Sequence, residues 1–391
     1  MIVASALFIF VFSSCKKDIS VSDVNLDETF AVLIPGENLT LTATVFPEDA
    51  TDKNLIWSSS DDEVATVVNG VVTAGIKEGT ADISVKVGGK EAICSVTVTS
   101  MQMILTSQDP NYIGIELDGA NNVAIDWGDG TIVYRSISSS GINVVNAYSQ
   151  AGTYTVKITG SHIMALFCSN NRLTHLDVSK NPNLERLECF NNELTSLDVS
   201  KNTALTVLYC NGNRMTSLDV SNNTELMDLS CRDNQLTNLN VSRLSKLSTL
   251  RCFNNLLTTL DLSGLSALWR LWCENNLLEE LDLSDSPGLS DLNCNLNLFQ
   301  SLDLSANQQI VSLSVERNRL TSLTGLSENQ VLSNVNCAIN NLSDTEINNL
   351  FEMLHSNPIS GGKNINVRYN TGSSTCNPSI ASNKGWTVTV N

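Results

Sequence analysis

Residues 184–213 read "LERLECFNNELTSLDVSKNTALTVLYCNGN", and the phrase L-x-x-L-x-C-x-x-N occurs there twice, starting at Leu184 and at Leu205. Its cysteine recurs every 21 residues, with Val315 on schedule in the same position and Cys337 one residue late. One asparagine and one leucine position keep the same period. Three residue types that share one period predict a protein built from stacked repeats. The cysteine positions are Cys168, Cys189, Cys210, Cys231, Cys252, Cys273 and Cys294.

The pattern resembles the leucine-rich repeat family, with cysteine in the position of the third leucine. A single unit has one short strand and cannot bury the apolar face of that strand alone. Neighbouring units must therefore stack, and we expect their strands to form a long parallel sheet. The repeated asparagine, which carries both an acceptor and a donor, is expected to satisfy backbone groups at the bend that follows each strand.

The repeated cysteine is expected to point inward and fill the core, because free cysteine packs as a small apolar residue. Two alternatives stay open at this stage. Disulfides between neighbouring units need side chains closer than parallel strands bring them. A metal site is disfavoured because no histidine shares the cysteine period; the histidines of the chain are His162, His175 and His355.

The whole chain has 391 residues, a formal net charge of −18 and 42% hydrophobic residues, which suits a folded protein of several domains. No basic run is present, so nucleic acid is not expected as a partner. We assign residues 161–342 to the repeats and residues 343–391 to a C-terminal cap. In this cap Ser343 and Glu346 form a capping box before an amphipathic helix, and a further strand follows.

The N-terminus begins "MIVASALFIFVFSSCKKD", an apolar run that is too short for a transmembrane helix and is typical of an export signal. The "FSSC" ending resembles the lipoprotein box of bacteria, although no basic residue precedes the apolar run. The resemblance implies acylation of Cys15 and a polar tether, so residues 1–18 are assigned to signal and tether. It also implies a location in the bacterial cell envelope, at the outer membrane and exposed on the surface.

Two small modules are predicted before the repeats. Residues 19–100 resemble the group 2 bacterial immunoglobulin-like domain, with Trp57 in "WSSS" and Gly70 in "NGVVTA" at its core and hairpin positions. Residues 101–160 carry "AIDWGDGT" and "NAYSQAGTYTVKITG" and resemble a PKD-type β-sandwich. Asp126 and Asp129 in this segment could contact calcium, but Asp-Gly is more often simply a turn, and no metal site is assigned.

Function is expected at the variable positions of the strands, which should line the concave side of the solenoid. Aromatic rings and arginines are concentrated there in the middle repeats, a combination typical of protein hot spots and also of surfaces that stack on sugars. The alternative is that the rings only stack on one another across strands. The predicted binding residues are Phe190, Tyr209, Arg232, Arg251, Phe253, Trp269, Arg270, Trp272 and Glu274.

The opposite, convex side repeats "LTSLDVSKNT" with little change, which favours turn hydrogen bonds over recognition. No catalytic motif is found, although carboxylates alone could hydrolyse glycosides. The sequence thus predicts a mainly β protein: two immunoglobulin-like sandwiches, then a leucine-rich-repeat solenoid with a helix-strand cap. We expect a non-enzymatic envelope lipoprotein without a cofactor that binds extracellular protein or glycan. A passive structural protein without a soluble ligand is the alternative.

Overall fold

The computed structural model describes residues 18–108, 110–119, 122–137 and 140–390. The predicted lipidation site at Cys15 lies outside the described residues. The backbone contacts divide the chain into two compact units, residues 1–100 and residues 101–391, which are described separately. None of the helices formed by the described residues has the length and apolar character needed to cross a membrane.

The first unit consists of short, mostly antiparallel strands. Its sheets have the orders β2-β9-β8-β5, β3-β7-β6 and β1-β4, where β2 pairs with β9 in parallel. The hairpin between β6 and β7 turns at Asn69 and Gly70, both with positive φ. A Cβ on Gly70 would stand 2.7 Å from the Leu41 carbonyl oxygen, so the turn requires glycine. The strands are β1 (Asp23–Leu26), β2 (Phe30–Leu33), β3 (Asn38–Thr40), β4 (Ala43–Phe46), β5 (Ile56–Ser59), β6 (Ala65–Val68), β7 (Val71–Ala74), β8 (Gly79–Val87) and β9 (Lys90–Val98).

The second unit begins with strands that belong to two sheets. One has the order β13-β12-β15-β10-β17, and the other starts β14-β11-β16 and continues into the repeats. The strands are β10 (Gln102–Gln108), β11 (Tyr112–Gly119), β12 (Asn122–Asp126), β13 (Ile132–Ser136), β14 (Ile142–Ala147), β15 (Thr153–Thr159), β16 (Ile163–Phe167) and β17 (Leu173–Asp177).

Both sheets cross the predicted boundary between residues 160 and 161. Leu105 in β10 pairs with Leu176 in β17, and Leu117 in β11 pairs with Leu166 in β16. One apolar core runs from Met103 through the repeats. Residues 101–160 therefore share a compact unit with the repeats and cover the first edge of the repeat sheet, whereas their assignment to the PKD family stays a prediction.

The two aspartates considered for calcium in this segment accept hydrogen bonds within their turn. Asp126 Oδ1 accepts from the Gly128 N–H at 2.9 Å, and Asp129 Oδ1 accepts from the Thr131 N–H at 2.9 Å. Asn146 Nδ2 donates to Asp129 Oδ2 at 2.8 Å. These hydrogen bonds are those of an Asp-Gly turn.

The repeats form a solenoid of 21-residue turns, as predicted. Each turn adds one short parallel strand, and the buried leucines are in register, with Leu187 opposite Leu208 and Leu250 opposite Leu271. The strands of this sheet are β18 (Arg186–Glu188), β19 (Val207–Tyr209), β20 (Asp228–Ser230), β21 (Thr249–Arg251), β22 (Arg270–Trp272), β23 (Asp291–Asn293), β25 (Ser312–Ser314) and β27 (Asn334–Asn336), while β24 (Ser301–Asp303) and β26 (Ser322–Thr324) pair separately on another side.

The repeated asparagine performs the predicted role. Asn192 Nδ2 donates to the carbonyl oxygens of Cys168 and Cys189 at 3.0 and 2.9 Å, and its Oδ1 accepts from the Leu173 N–H at 3.0 Å. Each asparagine thus joins two successive turns by hydrogen bonds to buried backbone groups. The cysteines beside this asparagine ladder point inward and are fully buried, as predicted.

The last turn of the solenoid is covered by the C-terminal cap. Ser343 Oγ accepts from the Glu346 N–H at the start of α1 (Asp344–Met353), and the helix buries Ile347, Leu350 and Phe351. The ammonium group of Lys363 is buried and donates to the carbonyl oxygens of Asn357 and Lys384 at 2.8 and 2.7 Å. The remaining elements are β28 (Lys363–Asn366), α2 (Ser379–Ser382) and β29 (Trp386–Thr389).

Candidate functional site

The side chains on either side of each buried leucine point away from the core and form a surface along the parallel strands, here called the strand face. Eight of the nine predicted binding residues are half-buried on or beside this face, and Trp269 is 41% exposed. The structure brings these residues together because strands one turn apart are hydrogen-bonded neighbours. The prediction that they bind a ligand is not tested by this arrangement.

Asp228 connects two of the predicted residues, one from the turn before it and one from the turn after it. Its Oδ2 accepts from the Tyr209 hydroxyl at 2.7 Å, and its Oδ1 accepts from Arg251 Nη1 at 2.8 Å. Burial raises the pKa of Tyr209, and the hydrogen bond to the Asp228 carboxylate raises it further. The phenol therefore stays neutral and holds a fixed orientation.

Asp291 binds two side chains that both belong to the preceding turn. Its Oδ2 accepts from Arg270 Nε at 2.9 Å and from Trp272 Nε1 at 3.1 Å. The Arg270 guanidinium also lies 4.3 Å from the ring centroid of Trp269 and 5.0 Å from that of Trp272. Arg251 lies 5.7 Å from the Trp272 ring, which joins the Asp228 and Asp291 groups through cation–π contacts.

The remaining arginines of this region also contact both an acid and a ring. Arg186 pairs with Glu188 and lies 5.5 Å from the Tyr209 ring centroid. Arg232 pairs with Asp233 and lies 5.3 Å from the ring centroid of Phe253. The strand face of the middle repeats is therefore a network in which each of these arginines is held in place before any ligand arrives.

Sequence reasoning missed Arg186, Asp228 and Asp291. These residues occupy the position just before the buried leucine, which the prediction did not treat as a column. The 21-residue period would have revealed the column, because its charged members alternate in sign from Arg186 to Asp228, then from Arg270 to Asp291.

Glu274 differs from the other acids of the strand face because one of its oxygens has no partner. Its Oε2 is buried and lacks a hydrogen bond among the described residues. Burial raises the pKa of Glu274 to about 7, with further contributions from the negative charges of Asp233 and Asp291. A cationic group placed here would relieve both the missing hydrogen bond and the repulsion.

The repeat cysteines offer no reactive thiolate at neutral pH. Burial raises the pKa of Cys231 to about 12 and raises that of Cys252 well above the ordinary value. Within the part of the chain that the structure describes, no cluster of three His, Cys, Asp or Glu side chains is placed to hold a metal ion.

Residues 20–98 match the bacterial Ig-like domain (group 2) family. Two enzymes are related to this chain over short stretches only, which correspond to the Ig-like domain. The α-L-arabinofuranosidase of Bifidobacterium longum subsp. longum is 40% identical over 85 residues, 21% of this chain and 8% of that protein. The κ-carrageenase of Pseudoalteromonas carrageenovora is 39% identical over 86 residues, 22% of each chain. The similarity to these two enzymes is therefore limited to the Ig-like domain and gives no reason to assign their activities to this chain.

The repeats resemble a solved structure, the functional domain of InlJ from Listeria monocytogenes, which includes a cysteine ladder. The sequence identity is 32% and the TM-score is 0.51, over 58% of this chain and 48% of that one. The chain thus spans about half the length of that structure. The likeness supports the assignment of the repeats as a leucine-rich-repeat solenoid.

Proposed function

We propose that this protein is a bacterial surface protein that captures an extracellular partner protein on the strand face of its middle repeats. The observation that carries the proposal is the combination, on one face, of the exposed ring of Trp269 and the unpartnered oxygen of Glu274. An exposed indole beside a fixed arginine and a buried unpaired acid is the composition of a protein hot spot.

The arrangement of the rings favours a protein over a glycan. Sugars stack on ring faces that are free. The ring centroid of Trp272 lies within 5.7 Å of two arginine guanidinium groups, and the rings of Phe253 and Tyr209 each lie near one such group. A prearranged set of charges suits a partner with complementary charges, because that set costs little entropy to fix on binding. A glycan ligand is retained as an outcome of the experiment below.

The envelope location is part of the same proposal. Ig-like domains of the matched family are typical of extracellular proteins. The lipoprotein-like "FSSC" sequence supports acylation of Cys15, which would tether the protein to the outer membrane with the repeats displayed at the surface. Replacing Cys15 with alanine should release the protein from the membrane fraction; continued membrane association would contradict the anchor.

The alternative is a passive structural protein, and the contacts within the strand face favour it in one respect. Tyr209 and Trp272 are bonded to Asp228 and Asp291, so these rings also stabilise the sheet. Their replacement by alanine would reduce stability whether or not they bind a ligand. Trp269 and Glu274 separate the two functions better, because neither side chain is hydrogen-bonded to Asp228 or Asp291.

The experiment is a binding screen of the full chain against arrays of extracellular proteins and glycans, with Trp269→Ala and Glu274→Gln as test variants. Ser312→Ala, on the same sheet but away from the rings, is the control. We expect a protein hit that both test variants weaken about tenfold or more, with melting temperatures no lower than that of the wild type. A glycan hit that both variants weaken would show that the ligand is a glycan and not a protein. A screen without hits, or with hits whose affinity neither variant changes, would favour the structural alternative.

A further inference from the structure

A second surface lies on another side of the same repeats, apart from the strand face. A groove of about 1310 Å³ is lined by three successive turns, within residues 258–261, 277–284 and 298–306. Its floor contains the buried residues Leu260, Leu283 and Leu302 of the core. Its rim carries the side chains of the segments that follow the asparagine ladder.

The groove coincides with a gap in the backbone pairing on this side of the solenoid. Parallel bridges join Asp219 to Asn240 and Asn240 to Asp261, and further along β24 pairs with β26. Between them, no bridge joins Asp282 to either neighbouring turn among residues 140–390. The backbone of the middle turn is therefore outside the pairing that joins its neighbours, as is the backbone at the equivalent residue Asp198.

The sequence of the repeats departs from its own pattern at the same place. The residue directly after each ladder asparagine precedes a buried Leu, Met or Phe. This residue is polar in earlier turns, as Glu193, Arg214 and Gln235, and it is polar again in a later turn, as Arg319. In the three turns around the groove it becomes leucine. Leu256 and Leu277 are 48% and 43% exposed, and Leu298 is half-buried. Turns with polar residues in this position stack equally well, so the core does not require these leucines.

Charge departs from the repeat pattern in the same turn. Glu279 and Glu280 occupy two positions that are uncharged in the other repeats, for example Thr258-Thr259 before them and Gln300-Ser301 after them. Together with three aspartates these residues give the groove five carboxylates, and none of the residues that line it is cationic. Hydrogen bonds from Ser263 and Ser284 lower the pKa of Asp261 and Asp282, which keeps both ionised. No ion pair neutralises any of the five within the described residues.

From these observations we infer that the groove is a docking site for an extended segment of a partner protein in which basic and apolar side chains alternate. Leu277 and Leu298, which line the groove, would contact the apolar side chains, and the carboxylates would pair with lysine or arginine. A single metal ion fits less well, because the described residues bring no three acidic groups together as ligands. This site is separate from the strand face and does not depend on the function proposed for it.

The test measures the fluorescence anisotropy of a short labelled peptide of alternating lysine and leucine with the full chain, at physiological salt. A peptide of alternating glutamate and leucine tests whether binding needs positive charge. A peptide of alternating lysine and serine tests whether binding needs apolar side chains. The variants are E279Q/E280Q, which removes the rim charges, and Leu277→Thr, which removes an exposed leucine. The control is Asp49→Asn/Glu328→Gln, which removes two exposed charges elsewhere.

We expect both groove variants to weaken binding of the lysine-leucine peptide about tenfold and the control to leave it unchanged. The two other peptides should bind at least about tenfold more weakly than the lysine-leucine peptide. Absence of peptide binding, or an equal loss in the control, would overturn the proposal, as would calcium binding that E279Q/E280Q abolishes without any peptide binding.

Discussion

Leu296 holds a backbone conformation that suits asparagine or glycine better than leucine. Its φ is 55°, and the same position, also with positive φ, is asparagine or glycine in several other turns (as in Asn191, Gly212, Asn254 and Asn275) and is Asp233, Arg317 or Ile339 in others. Asn275 Nδ2 donates to Asn254 Oδ1 at 2.8 Å, so the amides of this position bond from turn to turn. Leu296 is 43% exposed and can neither relieve the strain nor extend this ladder.

Leu296→Asn should therefore stabilise the protein by about 0.5–1 kcal/mol, because asparagine tolerates the left-handed region and leucine does not. Urea unfolding at neutral pH measures the difference. Leu277→Asn is the control, since Leu277 is equally exposed but does not have positive φ. Equal stabilisation by both variants would show that loss of exposed apolar surface, rather than backbone strain, explains the gain.

Glu274 should make folding stability depend on pH. The carboxyl has a pKa of about 7 in the folded protein against an ordinary value of 4.5, so the folded state holds the proton more tightly than the unfolded state does. The resulting stability is complete below about pH 4.5 and is lost as the pH rises through about 7. Glu274→Gln keeps the neutral form, so its stability relative to the wild type should increase between these values.

Urea unfolding of both proteins at about pH 4.5 and pH 8 checks this sign. Glu279→Gln controls for the loss of one carboxylate at an exposed position. A wild-type minus Glu274→Gln difference that is the same at both pH values would contradict a buried, unpaired carboxyl. If the strand face binds a cationic group at Glu274, affinity should rise over the same range, because the ionised form is the one that pairs.

The solenoid has two repeated positions for a buried asparagine, and these positions differ in the number of hydrogen bonds that the side chain makes. Asn255 uses all of its polar atoms: its Nδ2 donates to the carbonyl oxygens of Cys231 and Cys252, and its Oδ1 accepts from the Leu236 N–H at 3.0 Å. Asn223 donates to two carbonyl oxygens, but its buried Oδ1 has no partner. Leu244 and Leu265 replace this second asparagine in the next two turns.

We expect Asn255→Leu to destabilise the protein by about 2 kcal/mol or more, because it leaves the buried Leu236 N–H unpaired and removes one of the two amide donors to each of the Cys231 and Cys252 carbonyls. Asn223→Leu should cost less than about 1 kcal/mol, since it also removes an unsatisfied oxygen and copies a residue that neighbouring turns accept. Chemical denaturation of the two variants gives the comparison. Similar costs would mean that the two asparagines stabilise the solenoid equally.

The period of the sequence was sufficient to predict the solenoid, the inward cysteines and the asparagine ladder, because each depends on contacts between equivalent positions of neighbouring turns. It also placed the rings and arginines on one face. It could not show that Tyr209 and Arg251 share Asp228, since side-chain pairing depends on rotamers that the period does not specify. Nor could it show that β10 pairs with β17, because pairing between distant, non-equivalent strands is not encoded by a local pattern.

The ladder cysteines are expected to be unreactive towards thiol reagents in the folded protein. Of the ten cysteines that the structure describes, nine are buried and only Cys376 is partly exposed. A thiol reagent at mildly alkaline pH should therefore modify Cys376 first and the ladder cysteines only after denaturation, as counted by mass spectrometry of peptides. Rapid native labelling at Cys231 or Cys252, or a mass deficit from internal disulfides, would contradict core packing.

Across the whole chain, the division into two units predicts which parts fold without the others. Residues 101–391 share one apolar core, and the strands before residue 161 pair with β16 and β17. Removing residues 1–100 should therefore leave the melting temperature of the repeats unchanged. Removing residues 1–160 should expose β16 as a bare sheet edge together with the Leu166 core and cause aggregation or a lower melting temperature.

Two truncated chains, starting at Met101 and at Ser161, test this with thermal unfolding followed by circular dichroism and with size-exclusion chromatography. The chain from Met101 should elute as a soluble species and melt as the repeats do in the full chain. If the chain from Ser161 is equally soluble and stable, residues 101–160 would be a separate domain, as their resemblance to a PKD-type sandwich implies, and their sheet pairing with the repeats would contribute little to folding.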